Sequence, residues 1–134
     1  MEDFVTFEIA KKLKEKGFNE QCLGYYTTDD ILYFNFTHRP GVTYRDCYLS
    51  HNLMPQNSVS GKFFDAPTIS QILKWLRNEK GIHITICVCG DGWFYEVIHI
   101  SSGKSLIEDY EDDVIQSYED ATIAGIEYVI NNLI

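Results

Sequence analysis

The last thirty residues of this chain contain no lysine or arginine, although residues 105–134 hold 8 of the 20 acidic side chains. Residues 1–104 are nearly balanced, with 12 acidic and 11 basic groups, so the net charge of -9 belongs mainly to the C-terminal end. Binding to DNA or RNA requires clustered basic groups that displace counterions from phosphates. The one basic cluster, at 11–16, fits the solvated end of a helix, so we expect no nucleic-acid partner.

Long hydrophobic runs and linkers are also missing. The apolar runs fall far short of the roughly 20 residues that span a bilayer, and the acidic start MEDF is unlike a signal peptide. We therefore expect a soluble, cytoplasmic protein without membrane contact. With 45% hydrophobic residues and no Pro, Gly or Ser-rich linker, residues 1–134 are predicted to form a single domain.

The cysteines lack the spacing of a zinc or redox site. Cys22, Cys47, Cys87 and Cys89 include no C-x-x-C pair. Cysteines of a cytoplasmic protein are expected to stay reduced. We interpret all four as structural thiols, and we predict neither a metal nor a cofactor.

The clearest structural unit of the sequence is the stretch 68–100, which predicts a helix, a glycine stop and a tight hairpin. Thr68 and Gln71 have the spacing of a capping box at the start of the helix. Gly81 suits the left-handed residue that ends it. Four residues with helical spacing form its apolar stripe: Ile69, Ile72, Leu73 and Leu76.

Alternating residues on both sides of 90–92 predict the hairpin. A one-residue slip in register would move a whole set of side chains to the other face. A two-residue turn at Asp91-Gly92 would set Val88 against Tyr95, whereas a three-residue loop at 90–92 puts the apolar residues on one face, with Glu96 the only exception. We therefore predict the three-residue loop.

This register places His83 and His99 directly opposite each other. Cys87 would lie about 13 Å along the strand from His83, too far to share one zinc ion. The predicted apolar face, covered by the stripe of the helix, comprises Ile82, Ile84, Ile86, Val88, Phe94, Ile98 and Ile100.

The N-terminal part predicts a helix and a second hairpin. The helix begins at Thr6, runs to Lys16 and ends at Gly17 in a Schellman motif. Strands at 23–27 and 31–36 flank a turn at 28–30. We interpret Tyr25, Tyr26 and Tyr33 as packing residues of these strands with hydroxyls in water, and a ligand groove is the alternative.

Periodicity fades between residues 37 and 67, and irregular segments of this length are uncommon unless they are functional or mobile. A Cys47 and His51 nucleophile pair would need a contact and an orienting third group, so no catalytic residue is assigned. The residues predicted to bind a ligand here are His38, Arg39, Arg45, Asp46 and His51.

The C-terminal part predicts a short strand at 105–107, an acidic run at 108–113 and a last helix from Ser117 to about Leu133. The acidic run lacks the glycine and oxygen-ligand spacing of an EF-hand loop. It is typical of a solvated loop, or it meets a basic protein partner. The residues predicted to bind that partner are Asp109, Glu111, Asp112 and Asp113.

The whole pattern predicts an α+β fold. An antiparallel sheet of four to five strands from two hairpins carries three helices, in the order α-β-β-α-β-β-(β)-α. The segments FEIAKKLKEKGF, APTISQILKWLRNEKGIHI, GWFYEV and SYEDATIAGIEYVINNL resemble small uncharacterised proteins of Bacteroides phages and mobile elements, some similar to the phage α-β-α (ABA) sandwich domain. The resemblance covers most of the chain outside 37–63. It implies helices on both sides of the sheet and carries no catalytic residues.

Two functions remain open from the sequence. The first is a non-enzymatic protein-binding or accessory module of phage or mobile-element origin, acting through its acidic end or its long loop. The alternative is a small-molecule or metal-dependent enzyme with a site between the 37–67 loop and the polar face of the N-terminal hairpin. The observation that would distinguish the two functions is whether several titratable groups converge in one pocket, as an enzyme requires.

Overall fold

The computed structural model describes residues 3–34, 63–107 and 114–134 of the 134-residue chain. Within these ranges the chain forms three helices and two three-stranded antiparallel sheets, which confirms the α+β prediction. The two predicted hairpins lie in separate sheets, each with one further strand. The chain divides into two compact units, Met1–Ser70 and Gln71–Ile134, called unit 1 and unit 2 below.

The first helix of unit 1, α1 (Phe7–Glu15), has both of its predicted ends. The Thr6 hydroxyl accepts a hydrogen bond from the Ile9 N–H at 3.3 Å. Gly17 adopts a φ of 85°, and the Phe18 N–H donates to the Leu13 carbonyl at 3.0 Å, as a Schellman motif requires. The buried side chains of α1 are Ile9, Ala10 and Leu13.

The sheet of unit 1 has the strand order β2-β1-β3, from β1 (Gly24–Thr27), β2 (Leu32–Phe34) and β3 (Phe63–Ala66). The β1–β2 hairpin was predicted. Strand β3 was not, because Phe63-Phe64-Asp65-Ala66 shows no alternation of apolar and polar residues. Its pairing with β1 places Asp65 opposite Tyr25.

Helix α2 (Ile69–Trp75) continues into one π-helical turn, Leu76–Lys80, and ends at Gly81. Gly81 adopts the left-handed conformation that was predicted, with a φ of 67°. The buried side chains of the helix and its π turn are Ile72, Trp75 and Leu76. Trp75 lies outside the predicted stripe.

Strands β4 (Ile82–Cys89) and β5 (Gly92–His99) form the long hairpin of unit 2 with a two-residue turn, so the predicted three-residue loop is wrong. Gly90 adopts a φ of 57° at the first central position, where type II′ turns favour glycine. The one-residue shift moves Val97 onto the face of Ile84, while Phe94 and Ile98 take the opposite face. Ile100, predicted in the core, is 49% exposed.

Helix α3 (Tyr118–Asn132) packs against this hairpin and begins at the predicted cap, where the Ser117 hydroxyl accepts a bond from the Asp120 N–H at 3.0 Å. A Cβ on Gly125 would lie 2.8 Å from the Ile84 Cγ2, so only glycine permits this approach. The short strand β6 (Lys104–Ser105) pairs with the end of β5. Within the described ranges, none of the helices has both the length and the apolar character needed to cross a membrane.

Candidate functional site

The residues predicted to bind a ligand or a partner lie outside the described part of the chain. This applies to the loop residues His38, Arg39, Arg45, Asp46 and His51, and also to Cys47. It applies equally to the acidic residues Asp109, Glu111, Asp112 and Asp113. A site must therefore be sought in the ranges 3–34, 63–107 and 114–134.

The predicted pairing of His83 with His99 is wrong, because the observed register places them on opposite faces of the hairpin. His83 pairs with Ile98, and His99 pairs with Ile82. The Nδ1 of His99 instead lies 3.0 Å from the Ser101 hydroxyl oxygen. One ion could not contact both imidazoles from this register. In the described ranges, no three His, Cys, Asp or Glu side chains are grouped as a metal site requires.

Unit 2 exposes apolar side chains at the turn of its hairpin. Val88 is 70% exposed, Tyr118 50% and Val114 40%. Val88 pairs directly with Trp93 across the strands, so these two side chains share one face. Val114 packs against Gly92, the residue next to Trp93 in the strand, and therefore lies on the other face of the hairpin. We call Val88, Trp93 and Tyr118 together the turn-end surface.

The turn-end surface is held by backbone hydrogen bonds and ring packing. Trp93 and Ile115 exchange two backbone hydrogen bonds, of 2.8 and 2.9 Å, so the chain before α3 is fixed along the edge of β5. The Tyr118 ring meets the Trp93 ring edge to face, with centroids 5.6 Å apart. Val114 packs over Gly92, where an added Cβ would collide with it. The exposed groups are thus attached to a fixed frame.

Three acidic residues are close in sequence to the residues of this surface. Asp91 lies in the hairpin turn, and Glu119 and Asp120 lie in the first turn of α3, all three exposed. Anionic side chains are favoured at this end of a helix by its dipole. Since residues 105–134 include no basic residue, this end of unit 2 presents apolar groups with negative charge beside them.

Unit 1 contains a small pocket of about 160 Å³, lined by Lys14, Phe18, Asn19, Phe63 and Asp65. The Lys14 ammonium donates a hydrogen bond to the Phe63 carbonyl at 3.0 Å. It also lies 5.7 Å from the Phe63 ring centre and 5.1 Å from that of Phe64. The sequence indicated only a solvated lysine here, because strand β3, which supplies these contacts, carries no periodic signal.

The tyrosines of unit 1 act as packing residues, as was favoured. Tyr25 is buried and stacks on its cross-strand partner Tyr33 at 5.6 Å. Burial raises the pKa of Tyr25 above its ordinary value, and the neighbouring Tyr33 adds to the effect. The Tyr26 hydroxyl differs from the expectation of a hydroxyl in water, because it donates to the Val5 carbonyl at 2.8 Å. Burial raises the pKa of Tyr26, with a further contribution from the charge of Asp30.

Comparison with known proteins adds no functional assignment. No protein-family model, curated protein or solved structure matches this chain. Function must therefore be inferred from the turn-end surface of unit 2 and the pocket of unit 1.

Proposed function

We propose that this protein is a non-enzymatic binding module, and that the turn-end surface of unit 2 docks onto a basic protein partner. The observation that carries the proposal is the exposure of Val88 and Tyr118 on either side of the anchored Trp93. Exposed apolar side chains that adjoin one another and are rimmed by polar groups mark interaction sites. Single exposed apolar residues would carry no such meaning.

The residue types at this surface support a protein partner. Tryptophan and tyrosine are enriched among the few residues that supply most of the binding energy of an interface. Their large rings bury much area, and the Tyr118 hydroxyl keeps a polar group at the rim. Because the Trp93 backbone is held by Ile115 and the Trp93 ring packs on Tyr118, binding would order fewer groups at this surface.

The charges support a partner of opposite sign. Asp91, Glu119 and Asp120 are exposed near the apolar groups, and a basic partner would be steered toward them at low ionic strength. The neighbouring residues Asp109, Glu111, Asp112 and Asp113 extend the acidic charge in sequence, and we include them in the proposed partner-binding set. An origin in a phage or mobile element, drawn from the sequence resemblance, is part of the same proposal.

The test compares two exposed tyrosines that each contact one aromatic ring. Tyr118 lies against Trp93 in unit 2, and Tyr33, 40% exposed, lies against Tyr25 in unit 1. Wild-type chain, Val88→Ser/Tyr118→Ala and Tyr33→Ala would serve as baits in a native-host lysate at low salt, with quantitative mass spectrometry. The captured protein would then be purified and titrated against each bait.

We expect one basic protein to be recovered by wild type and by Tyr33→Ala, and to be depleted on Val88→Ser/Tyr118→Ala. Removal of a dominant interface residue costs about 2 kcal/mol, so its Kd should rise roughly 30-fold. Rising salt should weaken the wild-type complex. Equal recovery on all three baits, or a stronger loss with Tyr33→Ala, would refute a docking role for the turn-end surface.

A further inference from the structure

The pocket of unit 1 has the chemistry of a binding site for a small zwitterion, and it shares no residue with the turn-end surface. We infer that it binds a free α-amino acid with an apolar side chain. The ligand carboxylate meets Lys14 and Asn19, its ammonium group meets Asp65, and its side chain lies between Phe18 and Phe63. Among the residues that the structure describes, these five line the pocket.

The positive side of the pocket is set by Lys14. A lysine in solvent loses considerable side-chain entropy when a ligand fixes it. Here the ammonium already donates to the Phe63 carbonyl at 3.0 Å and lies above the rings of Phe63 and Phe64. An ammonium group has three donors, so others are left for a carboxylate. The exposed amide of Asn19 supplies a neutral donor beside it.

The negative side of the pocket is set by Asp65. Asp65 and Phe63 are two residues apart on β3, so their side chains leave the same face of the strand. Asp65 is half-buried and lines the pocket, and because its Oδ1 is closed off from solvent, the carboxylate meets the ligand through Oδ2. A simple anion would be attracted by Lys14 and repelled by Asp65. A simple cation would be attracted by Asp65 and repelled by Lys14. A ligand with both charges is attracted by each.

The volume and the lining of the pocket further restrict the class of ligand that can bind. About 160 Å³ is well below the roughly 300 to 1,000 Å³ of sites for drug-sized molecules, so one small molecule fits. Phe18 is buried behind the Schellman turn of α1, and Phe63 lies at the start of β3. Because two walls of the pocket are aromatic rings, an amino acid with an aliphatic side chain should bind more tightly than one without a side chain. Leucine should therefore bind more tightly than glycine.

The direct test is calorimetric titration of the full chain with four matched probes: L-leucine, glycine, N-acetyl-leucine and leucinamide. N-acetylation removes the positive charge of leucine, and amidation removes the negative charge. Leucine should bind saturably with one site per chain. Each of the other three should bind at least tenfold more weakly.

Variants locate the binding. Lys14→Met and Asp65→Asn should each raise the Kd for leucine at least tenfold, because each removes one charge-assisted contact. Lys11→Met is the matched control, since Lys11 lies on the same helix over the Phe7 ring at 5.2 Å and does not line the pocket. It should leave the Kd unchanged. Lys14→Arg and Asp65→Glu keep the charges, and urea unfolding of every variant separates lost binding from lost folding.

Three results would overturn the inference. The first is the absence of saturable binding by leucine. The second is equal binding of leucine and one of its blocked forms, which would indicate a ligand of single charge. The third is an unchanged Kd in folded Lys14→Met and Asp65→Asn. None of these results depends on a protein partner for unit 2, so the two proposals can fail separately.

Discussion

Units 1 and 2 each combine a three-stranded antiparallel sheet with a capped helix, yet the aromatic and charged groups of the two sites differ in what they contact. In unit 1 the rings face one another and a lysine: Phe7 meets Tyr26 and Phe64, and Tyr25 meets Tyr33. In unit 2 the rings at the hairpin turn stay partly in solvent, with Tyr118 half exposed. Similar secondary structure thus yields a small pocket in one unit and a partly exposed aromatic surface, the proposed docking surface, in the other.

The difference lies in what each charged group contacts. Lys14 of unit 1 has a carbonyl and two rings within reach, so its charge becomes part of a concave site. Glu119 and Asp120 of unit 2 extend into water from the start of α3. Charges in water act on approaching molecules at a distance. Lys14 is also exposed, and its contacts with Phe63 and Phe64 additionally fix the position of its ammonium group at the pocket.

The largest expected effects come from the two cores. Leu13→Ala in unit 1 and Ile130→Ala in unit 2 each remove a side chain that is at most 1% exposed. Each should lower the free energy of unfolding by about 2 to 5 kcal/mol. If the chain is the predicted single domain, both variants shift the same urea transition. Two transitions, each moved by only one variant, would break that prediction.

A second pair of variants tests whether the turn-end surface is rigid. An alanine at Gly92 would place its Cβ 2.6 Å from the Ile115 carbonyl oxygen, a backbone atom that cannot move alone. Gly92→Ala should lower the free energy of unfolding by about 2 to 3 kcal/mol and change the Trp93 fluorescence. Gly103→Ala is the control, because Gly103 has a φ of 68° and nothing near its Cβ position. Gly103→Ala should lower the free energy of unfolding by about 1 kcal/mol. Equal losses of stability in the two variants would contradict a close-packed turn.

The half-buried Tyr26 of unit 1 predicts a dependence of stability on alkaline pH. The pKa of Tyr26 is raised above 10.0, so the folded protein holds this proton more strongly than the unfolded chain. The resulting stability is present below pH 10.0 and is lost as the pH rises through the folded-state pKa. Tyr26→Phe should reduce this alkaline loss while costing about 1 kcal/mol at neutral pH, where the bond to Val5 is missing. Unfolding curves across this pH range would measure both effects, and an unchanged pH slope would contradict them.

The smallest effect on stability is expected from the acidic run. Seven carboxylates lie between residues 108 and 120 without a basic residue among them. Changing Asp109, Glu111, Asp112 and Asp113 to Asn or Gln should leave the Tm equal or slightly higher, and should weaken a steered complex at low salt. A clear fall in Tm would instead indicate a bound cation or an ion pair.

Local chemistry explains what could be predicted. Thr6, Ser117 and Gly81 act on backbone groups a few residues away, so their roles follow from sequence spacing. The prediction of the hairpin register failed because Gly92 was assigned to the loop, whereas it pairs with Cys89 and only Gly90 and Asp91 form the turn. The α+β class survived this error, since it depends on element types rather than on register.

The candidate sites were harder to predict, because they depend on long-range contacts. The pocket needs Lys14 beside Phe63, which lies 49 residues away in the chain. The turn-end surface depends on the exposed fractions of Val88 and Tyr118. Alternation placed Val88 on the predicted apolar face, and no pattern in the sequence indicated the exposure of Tyr118. The Trp93–Tyr118 contact joins the starts of β5 and α3, which are separated by β6 and 25 residues of chain, so sequence spacing does not predict it.

The pairing of β1 with both neighbours has a consequence for the order of folding. The β4–β5 hairpin closes through two residues, so its formation requires little loop-closure entropy. Strand β3 can pair with β1 only after the long loop between Thr27 and Phe63 has closed. Contacts that are distant in sequence form more slowly than local ones. Pulse-labelling hydrogen exchange should therefore show amides of β4 and β5 protected before those of β3, and the reverse order would mean that unit 1 nucleates folding.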